Sequence, residues 1–472
     1  MYKTFIEPAE PKIDLPLDAT FRPAALWNRN FSEAVRASKK GVPLAIAVER
    51  PDATRSSFKA IVFPPGHLSA ALNLVYAERL VKMLLWTRGG CQVTIGGPRE
   101  IGEFIRNVYS RKGRRAFDWD FMGRTVYEKP FRVIISEEDK VPPALEKTVA
   151  LGRHLEGCRV GFDLGASDRK VSAVIDGEPV FSEEVVWEPG KQPDARYHFH
   201  EVMSALHRAA ARIPRVDAIG GSSAGVIINS RIMVASLFRG VPRGLFKKKV
   251  TNIFLKMKEA WGVPFEVVND GEVTALAASM SLNINSVLGV ALGSSQAGGY
   301  VTPNGNITNW LNELAFTPVD YSPVAPVDEW SGDRGCGAQY FSQVAVIRLA
   351  AKAGIELDQT HSPAEKLKSV QELLAKGDER ARKIFETIGG YMGYGVAHYA
   401  NFYDLKHVLV LGRVTSGAGG PIILEKAERV LRAEFPELAS KITLHLPDEK
   451  SRRVGQSIAA ASLAQIKTLK GK

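Results

Sequence analysis

The sequence predicts a mixed α/β protein in which an α+β segment precedes two α/β domains. Three observations carry this. A length of 472 residues exceeds the common size of one domain, so two or three cores are expected. A composition of 45% apolar and 24% charged residues is ordinary for a globular chain and excludes collagen-like and disordered classes. The texture also changes near Arg159: before it, extended runs alternate with helical stretches, and after it short strands end repeatedly in loops of Gly, Ser and Asp.

Residues 1–155 are expected to form the additional N-terminal α+β domain. A helix is expected at 30–39, and the apolar runs 42–48 and 58–63 have the spacing of an antiparallel strand pair. The stretch 67–88 places Leu72, Val75, Leu80, Met83 and Leu84 near helical spacing. Residues 92–95 read as a strand, 100–109 as a helix and 131–136 as a strand. One helix followed by strands is not a helix-turn-helix.

The next domain is expected over 156–285. Strands at 159–162, 170–175 and 179–186 are joined by tight turns, followed by a helix at 197–212 and a strand at 217–221. Strand, strand, strand, helix, strand, helix is the outline of a ribonuclease H-like domain. A second such domain is expected over 286–472, opening with a strand at 287–292 and a returning strand from Tyr300. Helices at 339–352, 363–374 and 378–403 and a late strand at 407–411 complete it. The duplication is of architecture, without a sequence repeat.

Three cysteines, Cys91, Cys158 and Cys336, stand far apart with no CxxC pair. A disulfide framework and a four-cysteine zinc site are therefore excluded, and a reducing cytoplasm is the expected location. The polar, proline-bearing N-terminal stretch does not read as a signal peptide, and no apolar run reaches membrane-spanning length. The net charge is +11, with basic clusters at 106–115 and 239–249. Such clusters serve a solvated surface, a phosphorylated ligand or a polyanion, and no nucleic-acid-binding signature accompanies them. His198, His200 and His207 lie near or on one helix without a carboxylate or cysteine cluster, so packing is the expected role.

Four loops are candidates for chemistry. Asp163-Leu164-Gly165-Ala166-Ser167 ends a strand with a carboxylate, a glycine and a hydroxyl. This suits a hairpin around phosphate, with Asp163 holding magnesium through water, and it equally suits a plain β-turn. Gly293-Ser294-Ser295, continuing through Gly298 and Gly299, offers backbone N–H groups and hydroxyls to a second phosphate, or simply turns the chain. Asn269-Asp270 ends the apolar strand residues Val267 and Val268. There Asp270 could serve as general base and Asn269 could bind a neighbouring hydroxyl, or the pair could cap the following helix. The Gly-rich 412–420, from Gly412 through Gly417, suits an adenine ring or a strand-to-helix connection.

The order of these loops resembles the sugar kinases of the actin and hexokinase superfamily, most closely the ROK family (repressor, open reading frame, kinase). The resemblance spans about 158–465. The family's first loop reads DLGGT, its base motif ND, its second phosphate loop GTGIGGG and its adenosine loop LGG. The turn at Gly225 is similar to the family's connecting turn, Asn312-Glu313-Leu314-Ala315-Phe316 to its GE-x-GH, and 334–342 to its Cys-bearing loop. The resemblance implies two actin-like ATPase domains around a cleft. It further implies an ATP- and magnesium-dependent kinase that phosphorylates a hydroxyl of a sugar or sugar derivative, and a homo-oligomer, most simply a dimer.

In the implied roles Asp270 is the base, and Asn269, Glu313 and Gly225 bind substrate. Asp163, Gly165, Ser167, Gly293, Ser294, Ser295, Gly412 and Gly417 bind ATP. Departures are visible. Phe316 stands at the place of a zinc-binding His, only Cys336 remains of the cysteines, and Ala338 replaces a sugar-binding Glu. No zinc is expected, and sugar specificity does not transfer. Trp310, just before Glu313, has the best claim among the tryptophans to stack on a sugar ring, with core packing as the favoured reading. The polar stretch 328–334, with Asp333, is expected to line the substrate site. A non-catalytic sugar- or nucleotide-sensing regulator is the alternative.

Overall fold

The computed structural model describes residues 10–146, 151–447 and 449–466, with side chains at 449–454 left aside. The chain divides into two compact units: unit 1 comprises Met1–Lys147, Val290–Ala297 and Trp310–Leu446, and unit 2 comprises Thr148–Gly289, Gly298–Asn309 and Pro447–Lys472.

The chain opens with helix α1 (Ala24–Ala37) and the strands β1 (Val42–Glu49) and β2 (Arg55–Val62), paired antiparallel with Val42 opposite Val62. Helix α2 (Ala71–Arg88) leads to β3 (Gln92–Gly96), α3 (Arg99–Val108), the short α4 (Ala116–Asp120) and β4 (Arg132–Ser136). The strands form one sheet in the order β2-β1-β3-β4. Helix α2 is buried on nearly every face. Its buried charges Glu78 and Lys82 are tolerated because each is ion-paired, Glu78 with Arg115 and Lys82 with Asp118 and Asp333.

Unit 2 is built on β5 (Cys158–Leu164), β6 (Asp168–Ile175), β7 (Glu178–Val186), α5 (Ala195–Ala210) and β8 (Ala218–Ser223). The small strands β9 (Val226–Ile228) and β10 (Arg231–Val234), helices α6 (Arg243–Lys249) and α7 (Ile253–Trp261), strand β11 (Phe265–Asn269) and helix α8 (Asp270–Leu282) follow. The main sheet runs β11-β8-β5-β6-β7. β5, β6 and β7 form an antiparallel meander, while β8 and β11 join in parallel. This is the ribonuclease H-like outline expected from the sequence. Phe162, Phe254, Phe265 and Leu206 fill its core. His198, expected to pack, is buried with Nε2 3.0 Å from the Pro189 and Leu237 carbonyls.

The hairpin of β12 (Val287–Leu292) and β13 (Gln296–Val301) carries the chain into helices α9 (Gln343–Lys352), α10 (Pro363–Ala375) and α11 (Glu379–Tyr399). Strand β14 (His407–Leu411), helices α12 (Gly419–Glu434) and α13 (Pro436–Ala439), strand β15 (Thr443–His445) and helix α14 (Glu449–Ala461) complete the chain. The sheet order is β13-β12-β14-β15.

Within unit 1 the N-terminal segment packs directly on α9 and α11. The Phe21 ring lies 4.7 Å from that of Tyr391, and Tyr391 donates to the buried Asp18 at 2.5 Å, which Lys352 also approaches at 3.1 Å. No helix among the described residues is long and apolar enough to cross a membrane.

Candidate active site

Three strand ends of unit 2 gather the chemistry. β5 ends beside Asp163, whose carboxylate is buried and accepts a hydrogen bond from Ser222 Oγ of β8 at 2.6 Å. Lys170 of β6 stands 3.7 Å from Asp163 and 3.2 Å from Asp168. Burial raises the Asp163 carboxyl above its ordinary range, although Ser222 and Lys170 pull it back. Burial alone would lower the Lys170 ammonium, and the two carboxylates outweigh it and hold it above its usual value.

β11 ends at Asn269. Its Oδ1 accepts from the Gly271 N–H at 2.8 Å, capping α8, and its Nδ2 donates to the Gly225 carbonyl at 2.7 Å. Gly225 has φ +117, and a Cβ there would strike the backbone at Val234, so the turn that meets Asn269 requires glycine. Asp270, the next residue, is half-buried. Burial first, and the negative charge of Asp163 second, push its carboxyl up to about 6. The cap reading of Asn269 therefore holds, and Asp270 beside it carries a carboxyl raised toward neutral pH. Glu272 is buried and accepts from the Tyr300 N–H at 3.3 Å.

Gly165 and Ser167 lie in the hairpin between β5 and β6. The Gly165 N–H donates to the Asp168 carbonyl at 2.9 Å, and the Trp187 indole donates to the Gly165 carbonyl at 2.9 Å. Ser167 is exposed, with Oγ 3.1 Å from Asp168.

Unit 1 holds the other loops. Gly293, Ser294 and Ser295 form the β12–β13 turn, closed by Gly293 N–H to the Ser295 carbonyl at 2.9 Å, with both serines exposed. The Gln343 N–H at the start of α9 donates to the Gly293 carbonyl at 2.9 Å. Gly412, at the end of β14 with φ +103, lies against the Leu292 backbone closely enough to exclude a side chain. Gly417 is an exposed turn residue two positions before α12. Gln296 donates to the Tyr399 hydroxyl at 3.0 Å, and Thr317 Oγ1 lies 3.5 Å from that hydroxyl. Tyr399 thereby joins the Gly293 hairpin to the stretch that follows Glu313.

Residues 159–461, more than half the chain, match the ROK family. The chain belongs to the ROK family. Its fold is that of solved ROK proteins. The ROK hexokinase from Thermus thermophilus aligns at 21% identity over 65% of this chain and 97% of its own, with a TM-score of 0.51. A ROK family transcriptional regulator, a homolog of the E. coli MLC protein, aligns at 16% identity over 66% and 78%, with a TM-score of 0.52. No curated protein sequence matches the chain.

Within this ROK protein, Asp163, Asn269, Asp270 and Gly225 come together in unit 2, while Gly293–Ser295 and Gly412 are neighbours in unit 1. Sequence reasoning missed Lys170 and Ser222. Ser222 fell just past the strand read at 217–221, although it lies within β8, and Lys170 opened a run that read only as a strand.

The residues at the position of the family's zinc do not fit that ion. The Phe316 ring stacks on Trp86 with centroids 4.2 Å apart. Cys336 is buried and its thiol is pushed up to about 12, so it stays protonated. Among the described residues no group of three or more His, Cys, Asp or Glu could hold a metal ion. Asp333, expected at the substrate site, is instead buried against Arg79 and Lys82, each at 3.3 Å, and Arg115 at 2.5 Å. Trp310, a candidate sugar platform, has the Arg88 guanidinium 3.3 Å over its ring.

Proposed function

We propose that this ROK protein is an ATP-dependent kinase that phosphorylates a hydroxyl of a sugar or sugar derivative. The observation that carries the reading is Asp270: a carboxylate with acidity near 6, set at a strand end by the Asn269 cap and facing Asp163. A base poised close to neutral pH can take a proton from a hydroxyl as it attacks, and phosphoryl transfer otherwise demands positioning and charge stabilisation.

Asp270 orients the acceptor hydroxyl and removes its proton. In unit 2 Asn269 and the Gly225 turn are substrate contacts, and in unit 1 Glu313 is one. In unit 2, Gly165 and Ser167 offer a backbone N–H and a hydroxyl to the phosphates of ATP; in unit 1, Gly293, Ser294, Ser295, Gly412 and Gly417 are the ATP-binding residues. Lys170 offers its ammonium to transferring phosphate oxygens.

Among the described residues no cluster of three or more metal-ligating side chains surrounds Asp163, so a magnesium ion would use this carboxylate together with waters and nucleotide phosphates. Asp163 would hold it, and the ion would neutralise charge on the phosphates.

The test is ADP release with magnesium-ATP across hexoses, N-acetylhexosamines, pentoses and polyols, with Asp270→Asn in parallel. Sugar-dependent turnover that disappears in the variant supports the kinase. A sugar-induced rise in melting temperature without turnover points to a sensing regulator.

A further inference from the structure

We propose that the N-terminal region, which lies outside the ROK-matched span, positions the Asn312–Glu313 turn, with Arg88 as the principal positioning residue. The inference rests on Glu313 being a substrate contact, as in the reading above.

The geometry is specific. The last carbonyls of a helix lack intrahelical partners. In α2 two of them, those of Trp86 and Thr87, accept from the N–H groups of Glu313 at 2.9 Å and Asn312 at 3.0 Å. Asn312 sits at φ +49, a left-handed conformation that persists only where its surroundings hold it, and Tyr403 donates to its Oδ1 at 2.8 Å.

Arg88, the last residue of α2, ties the turn from the side. Its guanidinium lies 3.3 Å from the Trp310 ring centroid and 4.9 Å from that of Tyr403, and it donates to the Phe402 carbonyl. The Trp310 indole N–H donates to Glu146 at 3.0 Å, and Glu146 is itself paired with Arg50 at 2.8 Å. Beyond the turn, Phe316 stacks on Trp86 and Asp333 is paired with Lys82. Residues 310, 312, 313, 316 and 333 are thus each gripped by α2. A planar guanidinium can lie between two rings and still reach a carbonyl, which a lysine ammonium cannot imitate.

The test compares the full-length wild type with Arg88→Lys and Trp310→Leu, two variants so that misfolding of one leaves the other. The first readout needs no ligand: hydrogen exchange of the Asn312 and Glu313 amides. Acceleration of about tenfold, with exchange in β12 and β14 unchanged, is expected from a released brace. Unchanged exchange at both amides overturns the inference.

The second readout is steady-state turnover with magnesium-ATP and D-glucose, D-mannose, N-acetyl-D-glucosamine or N-acetyl-D-mannosamine. The KM for any sugar that turns over should rise about tenfold in Arg88→Lys, while the KM for ATP stays within about twofold. Faster exchange with an unchanged sugar KM in an active enzyme also overturns it. If the wild type turns over none of the four sugars, the kinase reading loses support, and the exchange result alone decides whether the brace exists.

Discussion

A carboxylate that must accept a proton near neutral pH needs an environment that disfavours its charge, and that environment costs stability. Burial and the neighbouring Asp163 hold the Asp270 carboxyl up to about 6. Turnover, which requires the ionised form, should therefore climb as pH rises through about 6. Asp270→Asn should lower kcat by about a thousandfold with nucleotide affinity retained, checked by initial rates and nucleotide titration. The stability consequence has the opposite sign. Between the unfolded-state carboxylate value near 4 and about 6, the folded protein binds the extra proton, so stability falls as pH rises through that window. Asp270→Asn should accordingly melt higher than wild type at pH 8 and nearly level with it at pH 4. A variant that melts lower at pH 8 would mean that the Asp270 charge is favourably partnered. Asp163 and Asp270 were legible in the sequence because each ends an apolar run with a carboxylate. Lys170 was not, because within a strand only pairing to another chain segment reveals that a lysine faces an acid. Trp310 looked like a sugar platform for the same reason: its partner Arg88 lies far upstream.

At the scale of elements, the strands were readable wherever apolar runs ended in turn residues, and β1, β3, β5, β12 and β14 all lie where those runs placed them. Helix α14 was not read at all. Its small residues make a weak apolar stripe, and what defines it is close approach to a sheet. A Cβ at Gly161 or Gly220 would fall within the radius of the Ser457 or Ala460 carbonyl oxygen of α14, so the glycines of β5 and β8 are what let the helix lie flat. The buried Arg159 guanidinium completes the attachment, donating to the Ala464 carbonyl at 2.7 Å. Gly220→Ala should therefore destabilise the protein by about 2 kcal/mol in chemical denaturation, since the rigid backbone of a packed helix cannot yield cheaply. Gly244→Ala in the exposed α6 meets nothing within 4 Å and should be neutral or slightly stabilising. Equal effects at the two positions would show that glycine content, and not the α14 contact, sets the cost.

At the scale of the molecule, the least legible feature is that residues 1–147 share a compact unit with 310–446. Hydrophobic periodicity reports local structure, whereas this association depends on charges and rings that meet only after folding. Its centre is the buried group of Glu78, Lys82, Arg115, Asp118 and Asp333, with the half-buried Arg79 beside them. Burial alone would raise the Asp333 carboxyl, but Lys82, Arg79 and Arg115 overcome it and hold the group far below the carboxylate range. Its contribution is then fully present above the unfolded-state value near 4 and is lost as pH falls toward the depressed folded value. Asp333→Asn keeps the shape and removes the charge, leaving cations buried without their partner. It should cost about 3–5 kcal/mol at pH 7, and the gap from wild type should narrow steadily as denaturation is repeated toward pH 3. Hydrogen exchange in the variant should loosen 71–88 and 328–341 together, because Asp333 of the second segment is paired with Arg79 and Lys82 of the first. A gap that stayed constant with pH would place the stability of this region in the ring contacts of Trp86, Phe316 and Phe121, which carry no charge, and would make the ions bystanders to the packing.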